Sequence, residues 1–151
     1  MGEYLETTYD KFTFRVKTGY RYSQDDVWVR PEDGSITVGL TDFMQRRSGD
    51  VAFVELPASG AEVAAGEPCG LIETIKAAQD VVSPLSGMVI AVNEELEIRP
   101  ELVNEDPYGR GWLFRLTPAD PSAAENELLD AQAYFQLMLT RVEEEAKKLG
   151  H

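Results

Sequence analysis

The sequence predicts a mainly β domain, a small sandwich or barrel of short strands, with a helix at its C-terminal end. Three observations carry this. Turn signals recur at short intervals through the first two thirds of the chain, at Pro31-Glu32-Asp33-Gly34, Pro57 to Gly60, Gly66 to Pro68 and Pro84 to Gly87. The runs between them have period-2 or fully buried strand character. The C-terminal segment then changes to the three- and four-residue spacing of an amphipathic helix.

Residues 11–16 and 27–30 read as the first strands, and residues 35–40 alternate cleanly, with Ile36, Val38 and Leu40 on one face. Thr41 or Asp42 can cap a short internal helix running through Arg47, with Gly49 in the C′ position. Further strands are expected at 51–56, 70–75, 81–83 and 88–93, and at 112–116 after a loop from Asn104 to Gly111. Short strands so spaced suit a sandwich or barrel. Leu128, Ala131, Phe135, Met138, Val142, Ala146 and Leu149 then form one apolar stripe. Glu143-Glu144-Glu145 ahead of Lys147-Lys148 is the favourable order for helical ion pairs. The stripe is expected to pack on the sheet or on a neighbouring subunit.

Composition narrows the function classes. A chain of 151 residues with 43% hydrophobic content is one domain with a terminal extension and a real core. It has 27 acidic against 14 basic residues, a net charge of −13, which argues against nucleic acid and against an anionic membrane surface. The longest apolar run, Met88 to Val92, is far short of a membrane span. Residues 1–10 contain Glu3, Glu6 and Asp10 and no apolar stretch, so no signal peptide is expected and the default address is cytoplasmic. With one histidine, His151, and one cysteine, Cys69, neither an internal disulfide nor a Cys/His zinc site can form. A Ser-His-Asp or Cys-His engine is equally out of reach. Carboxylate chemistry stays open, but a protein that carries or binds something is favoured over a self-sufficient enzyme.

The segment from Gly70 to Gly87 is the informative one. Two strand-like runs flank a short polar stretch, which puts Lys76 at or near the tip of a hairpin. There its amine stands in water while its stem rests on a rigid two-strand base. That suits an amine presented to a modifying enzyme, although charged hairpin tips are commonplace and the pattern alone does not decide.

This stretch resembles the lipoyl-attachment segment of the glycine cleavage system H-protein family, which is similar to lipoyl and biotinyl domains in general. The matching motifs begin with Trp28-Val29, Thr37-Val38-Gly39-Leu40-Thr41-Asp42, Gly49-Asp50 and Phe53-Val54-Glu55-Leu56-Pro57. They continue with Glu73-Thr74-Ile75-Lys76-Ala77, Ser83-Pro84-Leu85-Ser86-Gly87 and Val92-Asn93. Pro100-Glu101-Leu102-Val103-Asn104, Asp106-Pro107-Tyr108-Gly109 and Gly111-Trp112 complete them, in family order. The resemblance covers residues 22–134. It implies a barrel-sandwich hybrid, or hammerhead, over residues 21–118, preceded by an N-terminal extension over 1–20 and followed by a C-terminal helix over 119–151. It also implies that Lys76 carries lipoate through an amide on its ε-nitrogen, on an arm reaching roughly 14 Å. Such a chain is a cofactor carrier, not an enzyme, and needs a lipoate ligase or lipoyltransferase. Biotinyl domains usually flank their lysine with methionines; Ile75 and Ala77 stand here, which favours lipoate.

Two departures bear on the cargo. Where the family commonly reads His-Glu-Trp, this chain reads Asp26-Val27-Trp28. In glycine-cleaving members that glutamate, with an acid just after the lysine, helps hold the aminomethyl amine. Asp80 matches the second acid, but Val27 cannot accept a hydrogen bond. Loss of one charge-assisted contact weakens docking by about 1.5–3 kcal/mol, unless Asp25 or Asp26 substitutes. The start, Tyr9-Asp10-Lys11-Phe12-Thr13-Phe14, also resembles lipoate-binding paralogues of cytoplasmic sulfur oxidation, which work with a heterodisulfide-reductase-like complex. The expectation therefore leans to a sulfur carrier. The alternative is a true H protein working with glycine decarboxylase, aminomethyltransferase and dihydrolipoyl dehydrogenase. An unmodified interaction module is a third reading.

Asp25, Asp26, Glu73 and Asp80 can frame an acidic docking surface around Lys76 or simply a solvated face. Cys69, at a strand start, reads as a small buried hydrophobe, with a mixed disulfide to the arm as the other possibility. Gly39 and Gly87 read as sites of tight turn or close strand approach, and Trp28 and Trp112 as core.

Overall fold

The computed structural model describes residues 3–9 and 11–148, Lys147 and Lys148 by their backbone alone; Asp10, Leu149 and His151 lie outside the described residues. In chain order the strands are β1 (Tyr4–Tyr9), β2 (Phe12–Lys17), β3 (Arg21–Tyr22), β4 (Val27–Glu32), β5 (Ser35–Leu40) and β6 (Val51–Glu55). They continue with β7 (Glu62–Val63), β8 (Pro68–Thr74), β9 (Ala78–Val82), β10 (Gly87–Val92) and β11 (Phe114–Pro118). The helices are α1 (Asp42–Ser48), α2 (Leu102–Glu105), α3 (Ala123–Glu127) and α4 (Ala131–Lys148), with a 3-10 turn at Glu94–Glu97.

The expected architecture is present: a six-stranded sheet in the order β3-β4-β5-β11-β10-β7 and a three-stranded sheet in the order β6-β8-β9. Their pairings are antiparallel. Apolar residues of both sheets meet in one core, among them Val29, Val38 and Leu116 from the first and Val54, Ile72 and Val81 from the second. Each such side chain, fully buried, contributes about 1.5–3 kcal/mol. The close approaches read from the glycines are real. A Cβ on Gly39 would lie 2.4 Å from the Trp28 ring, and one on Gly87 would lie 2.2 Å from the Thr117 carbonyl oxygen.

A second, aromatic core joins the two ends of the chain to this body. The hairpin β1–β2 pairs in full register from Tyr4↔Lys17 to Tyr9↔Phe12. Its Phe14 and Val16 bury against Tyr22, Trp28, Phe43, Tyr108, Tyr134, Met138 and Val142. The rings of Tyr22 and Tyr134 stack at 4.7 Å.

Three expectations are corrected here. The C-terminal helix starts at Ala131, not at 119, because Asp130 Oδ1 accepts from the Ala133 N–H at 2.8 Å and so caps it there. Residues 119–130 instead hold α3 and a bridge from Leu129 to Tyr22, leaving Leu128 off the helical stripe. The centre of the stripe is Tyr134, with Phe135 only half-buried. Trp112 is half-buried, whereas Trp28 is wholly buried and donates from Nε1 to the Pro107 carbonyl at 2.8 Å. Among the described residues no helix is long and apolar enough to cross a membrane.

Helix α1 is cut short by its own sequence. Thr41 Oγ1 accepts from the Met44 N–H at 3.2 Å, and Gly49, at φ +89°, ends it. Seven residues allow one buried side, Phe43 and Met44, and leave Arg46 exposed and Arg47 half-exposed.

Candidate functional site

The hairpin β8–β9 is held at its base and free at its tip. Its register runs Leu71↔Asp80, Ile72↔Gln79 and Glu73↔Ala78. Ile72 and Val81 are anchored in the main core, and the buried Ser83 hydroxyl donates to the Leu85 carbonyl at 2.8 Å just below. Gly70 allows β6 to press close: a Cβ there would meet the Glu55 carbonyl oxygen at 2.6 Å. The tip closes when the Thr74 N–H donates to the Ala77 carbonyl at 2.9 Å, reinforced by the Ala77 N–H to Thr74 Oγ1 at 3.3 Å. Ile75 and Lys76 are left at the summit, Ile75 92% exposed.

Lys76 is exposed and, among the described residues, takes part in no ion pair or hydrogen bond. A solvated, unpaired primary amine on a pinned two-residue summit is what amide formation to a carboxylic acid requires. The residues present therefore fit an acyl cofactor.

The acids expected around it divide. Glu73 and Asp80 lie on the outward face of the hairpin, at positions two residues apart in register, both exposed. Asp25 is exposed in the turn between β3 and β4. Asp26 is no part of an acidic surface: it is 3% exposed, with φ +64°, and its carboxylate is occupied. Tyr134 Oη and Arg141 Nη1 each donate to Asp26 Oδ1 at 2.7 Å, and Arg47 approaches its Oδ2 at 3.8 Å. Burial pushes the Asp26 carboxyl above its ordinary value, against the opposing pull of Tyr134, Arg141 and Arg47. Val27 faces away as well, fully buried in the main core with Leu40 as its cross-strand partner. Cys69 is half-buried against that core, and burial pushes its thiol up to about 11, so it stays protonated and unreactive at neutral pH.

Sequence reasoning did not find the groove of about 710 Å³ that opens beside Lys76. Lys76 itself lines it, together with Phe12 and Phe14 of β2, Phe43, Arg46 and Arg47 of α1, and Val142 of α4. The Arg46 guanidinium lies 5.6 Å from the Phe12 ring centroid and that of Arg47 lies 5.4 Å from that of Phe43. A signal was available: Arg46-Arg47 is a pair of adjacent cations in a strongly acidic chain, at the end of a predicted helix.

Comparison with known proteins identifies the family. The family model described as glycine cleavage H-protein matches residues 20–141. The glycine cleavage system H protein of Shewanella sp. (strain ANA-3) is 51% identical over 120 residues, covering 79% of this chain and 92% of that protein. That of Shewanella loihica is 50% identical over the same coverage. Among solved structures, a glycine cleavage system H protein from Mycobacterium marinum superposes with a TM-score of 0.71 at 36% identity, over 79% of this chain and 95% of that one. These matches favour the glycine reading and give the lean to sulfur oxidation no support. That lean rested on Val27, which the fold places in the core, and on an N-terminal segment that the family match does not include.

Proposed function

This chain belongs to the glycine cleavage H-protein family, a family of lipoyl carriers and not of enzymes, and we propose that Lys76 is its point of lipoate attachment. The cargo in this reading is the aminomethyl group passed from glycine decarboxylase to aminomethyltransferase, with dihydrolipoyl dehydrogenase restoring the arm. When bound, lipoate supplies a disulfide that opens to a dithiol and so takes up electrons or a one-carbon group.

The chain's own residues do the positioning. The β8–β9 hairpin holds the Lys76 amine in water, where a lipoate ligase or lipoyltransferase can reach it, and fixes the point from which an arm would swing. Glu73 and Asp80 offer carboxylate acceptors on the outward face below the summit, suited to an ammonium group or to a basic partner surface. The net charge of −13 steers such partners at low ionic strength and less so at high salt. No catalytic side chains are called for, which accounts for a composition that cannot assemble any of the usual histidine-based engines. In the same reading residues 1–20 are an extension, 21–118 the lipoyl-type domain and 119–151 the C-terminal segment, and the protein works in the cytoplasm.

The observation that carries this proposal is the exposed, unpaired Lys76 amine on a core-anchored summit. Complementation tests it. Glycine cleavage should return when this chain is expressed in a strain lacking its own H protein. A chain that becomes lipoylated there yet restores no glycine cleavage would overturn the aminomethyl reading.

A further inference from the structure

The summit that presents Lys76 is a two-residue loop, Ile75-Lys76, between Thr74 and Ala77. Loops of this length usually take primed turns, whose positive φ angles match the twist of the strands they join. Ile75 is β-branched and resists such angles. Neither it nor Lys76 adopts one: among the described residues the one non-glycine at positive φ is Asp26. An unprimed loop splays its strands, so this tip needs something else to hold it shut.

Thr74 supplies it. Its N–H donates to the Ala77 carbonyl at 2.9 Å. Its hydroxyl accepts from the Ala77 N–H at 3.3 Å and donates to the Ala77 carbonyl at 3.2 Å. One hydroxyl, with a proton and two lone pairs, thus grips both backbone groups of the residue after the lysine. Ile75, 92% exposed, adds no packing that could replace this grip. Thr74 is itself anchored on its other side. Its partner across β6 is the buried Val51, whose N–H donates to Asn104 Oδ1 at 2.9 Å. The frame below the summit is fixed, and a single side chain ties the summit to it.

We propose that the Thr74 hydroxyl is a positioning group: it holds the summit in the shape that a lipoate ligase reads, and so sets how readily that enzyme takes up the chain. The inference rests on the lipoyl reading of Lys76. In the ligase reaction ATP activates the lipoate carboxyl as an acyl adenylate. The unprotonated Lys76 Nζ bonds to that carboxyl carbon, the C–O bond to the adenylate breaks, and AMP leaves with its electron pair while Nζ gives up a proton to water. Thr74 touches none of the reacting atoms. It acts before them, on the fraction of chains whose tip is closed. Apparent affinity falls in proportion to that fraction, whereas a chain already bound is held by the enzyme and reacts at its former rate. Loss of the hydroxyl therefore shows in KM and not in kcat.

The test is lipoylation of the full-length unmodified chain by a lipoate ligase with lipoate and ATP. Thr74→Val keeps the β-branched shape and removes the hydroxyl. It should raise the KM for the chain roughly threefold or more at unchanged kcat, within the range by which one exposed hydrogen bond shifts a population. Thr74→Ser should restore the wild-type KM. Two further measurements separate positioning from folding and from exposure. Hydrogen exchange at the Ala77 amide should be faster in Thr74→Val and slow again in Thr74→Ser. Acetylation of Lys76 by a small N-hydroxysuccinimide ester, followed on its peptide, needs exposure alone and should run at the wild-type rate in all three proteins. A Thr74→Val chain with the wild-type KM, a loss confined to kcat, or a loss that serine does not repair would overturn the inference while leaving the attachment site standing. Slower acetylation would overturn it too, by reducing the role of Thr74 to exposure. A wild-type chain that the ligase leaves unmodified would instead remove the attachment site, and the positioning role with it.

Discussion

Arg141 Nη1 donates to Asp26 Oδ1 at 2.7 Å, joining α4 to the turn before β4 across 115 positions of sequence. The same guanidinium donates from Nη2 to the Gln24 carbonyl at 2.6 Å, so both arms of its fork are used. Tyr134 and Arg47 reach the same carboxylate from α4 and α1. One buried acid therefore fixes the position of the helix that forms one side of the groove beside Lys76.

Removing one partner of a buried charge leaves the other uncompensated. Arg141→Ala should destabilise the fold by about 1.5–3 kcal/mol, the range for hydrogen bonds to charged groups. Arg141→Lys should recover only part of that, because an ammonium cannot reproduce the fork. Urea unfolding of the three proteins checks both statements.

Asp26 also makes a prediction in pH. Its folded carboxyl is shifted above the ordinary value, mainly by burial, so the folded state takes up a proton before the unfolded state does. The stability contributed by this shift is complete below the ordinary carboxylate range and is lost as pH rises through the folded value. Measured against Asp26→Asn, which cannot titrate, the wild type should therefore gain stability as pH falls through the folded value toward the ordinary one. A relative loss over that interval would mean that the ion pairs outweigh the burial.

Gly39→Ala places a methyl group 2.4 Å from the Trp28 indole, which is itself wholly buried and hydrogen-bonded to Pro107. Neither the ring nor β5 has room to yield, so a loss of about 1–3 kcal/mol is expected, the usual cost of overpacking. Thermal unfolding followed by tryptophan fluorescence should show it as a lower midpoint.

What could be read from the sequence was local. The alternation at 35–40 became β5 with those bounds, and α1 starts at the Thr41 hydroxyl cap and ends at Gly49, whose positive φ a glycine adopts freely. The summit at Lys76 was legible because the runs flanking it are apolar and the tip between them is polar. What stayed hidden depends on distant partners. Asp26 reads as one more surface acid until Tyr134 and Arg141, more than a hundred positions away, close over it. The strand β1 carries no alternating apolar face of its own and is drawn out by pairing with β2. Tyr134 displaced Phe135 from the centre of the helix stripe because it can both stack on Tyr22 and bond Asp26. The groove needs both ends of the chain at once, which no window of sequence displays.

The central claim is that one side chain is the tether, and mass spectrometry of the Lys76 peptide from a lipoylating host tests it most directly. The account predicts a lipoyl adduct on Lys76 in the wild type, and a folded Lys76→Arg protein that carries none and supports no glycine cleavage. A wild-type peptide that stays unmodified in that host, or full glycine cleavage by the Lys76→Arg protein, would contradict it.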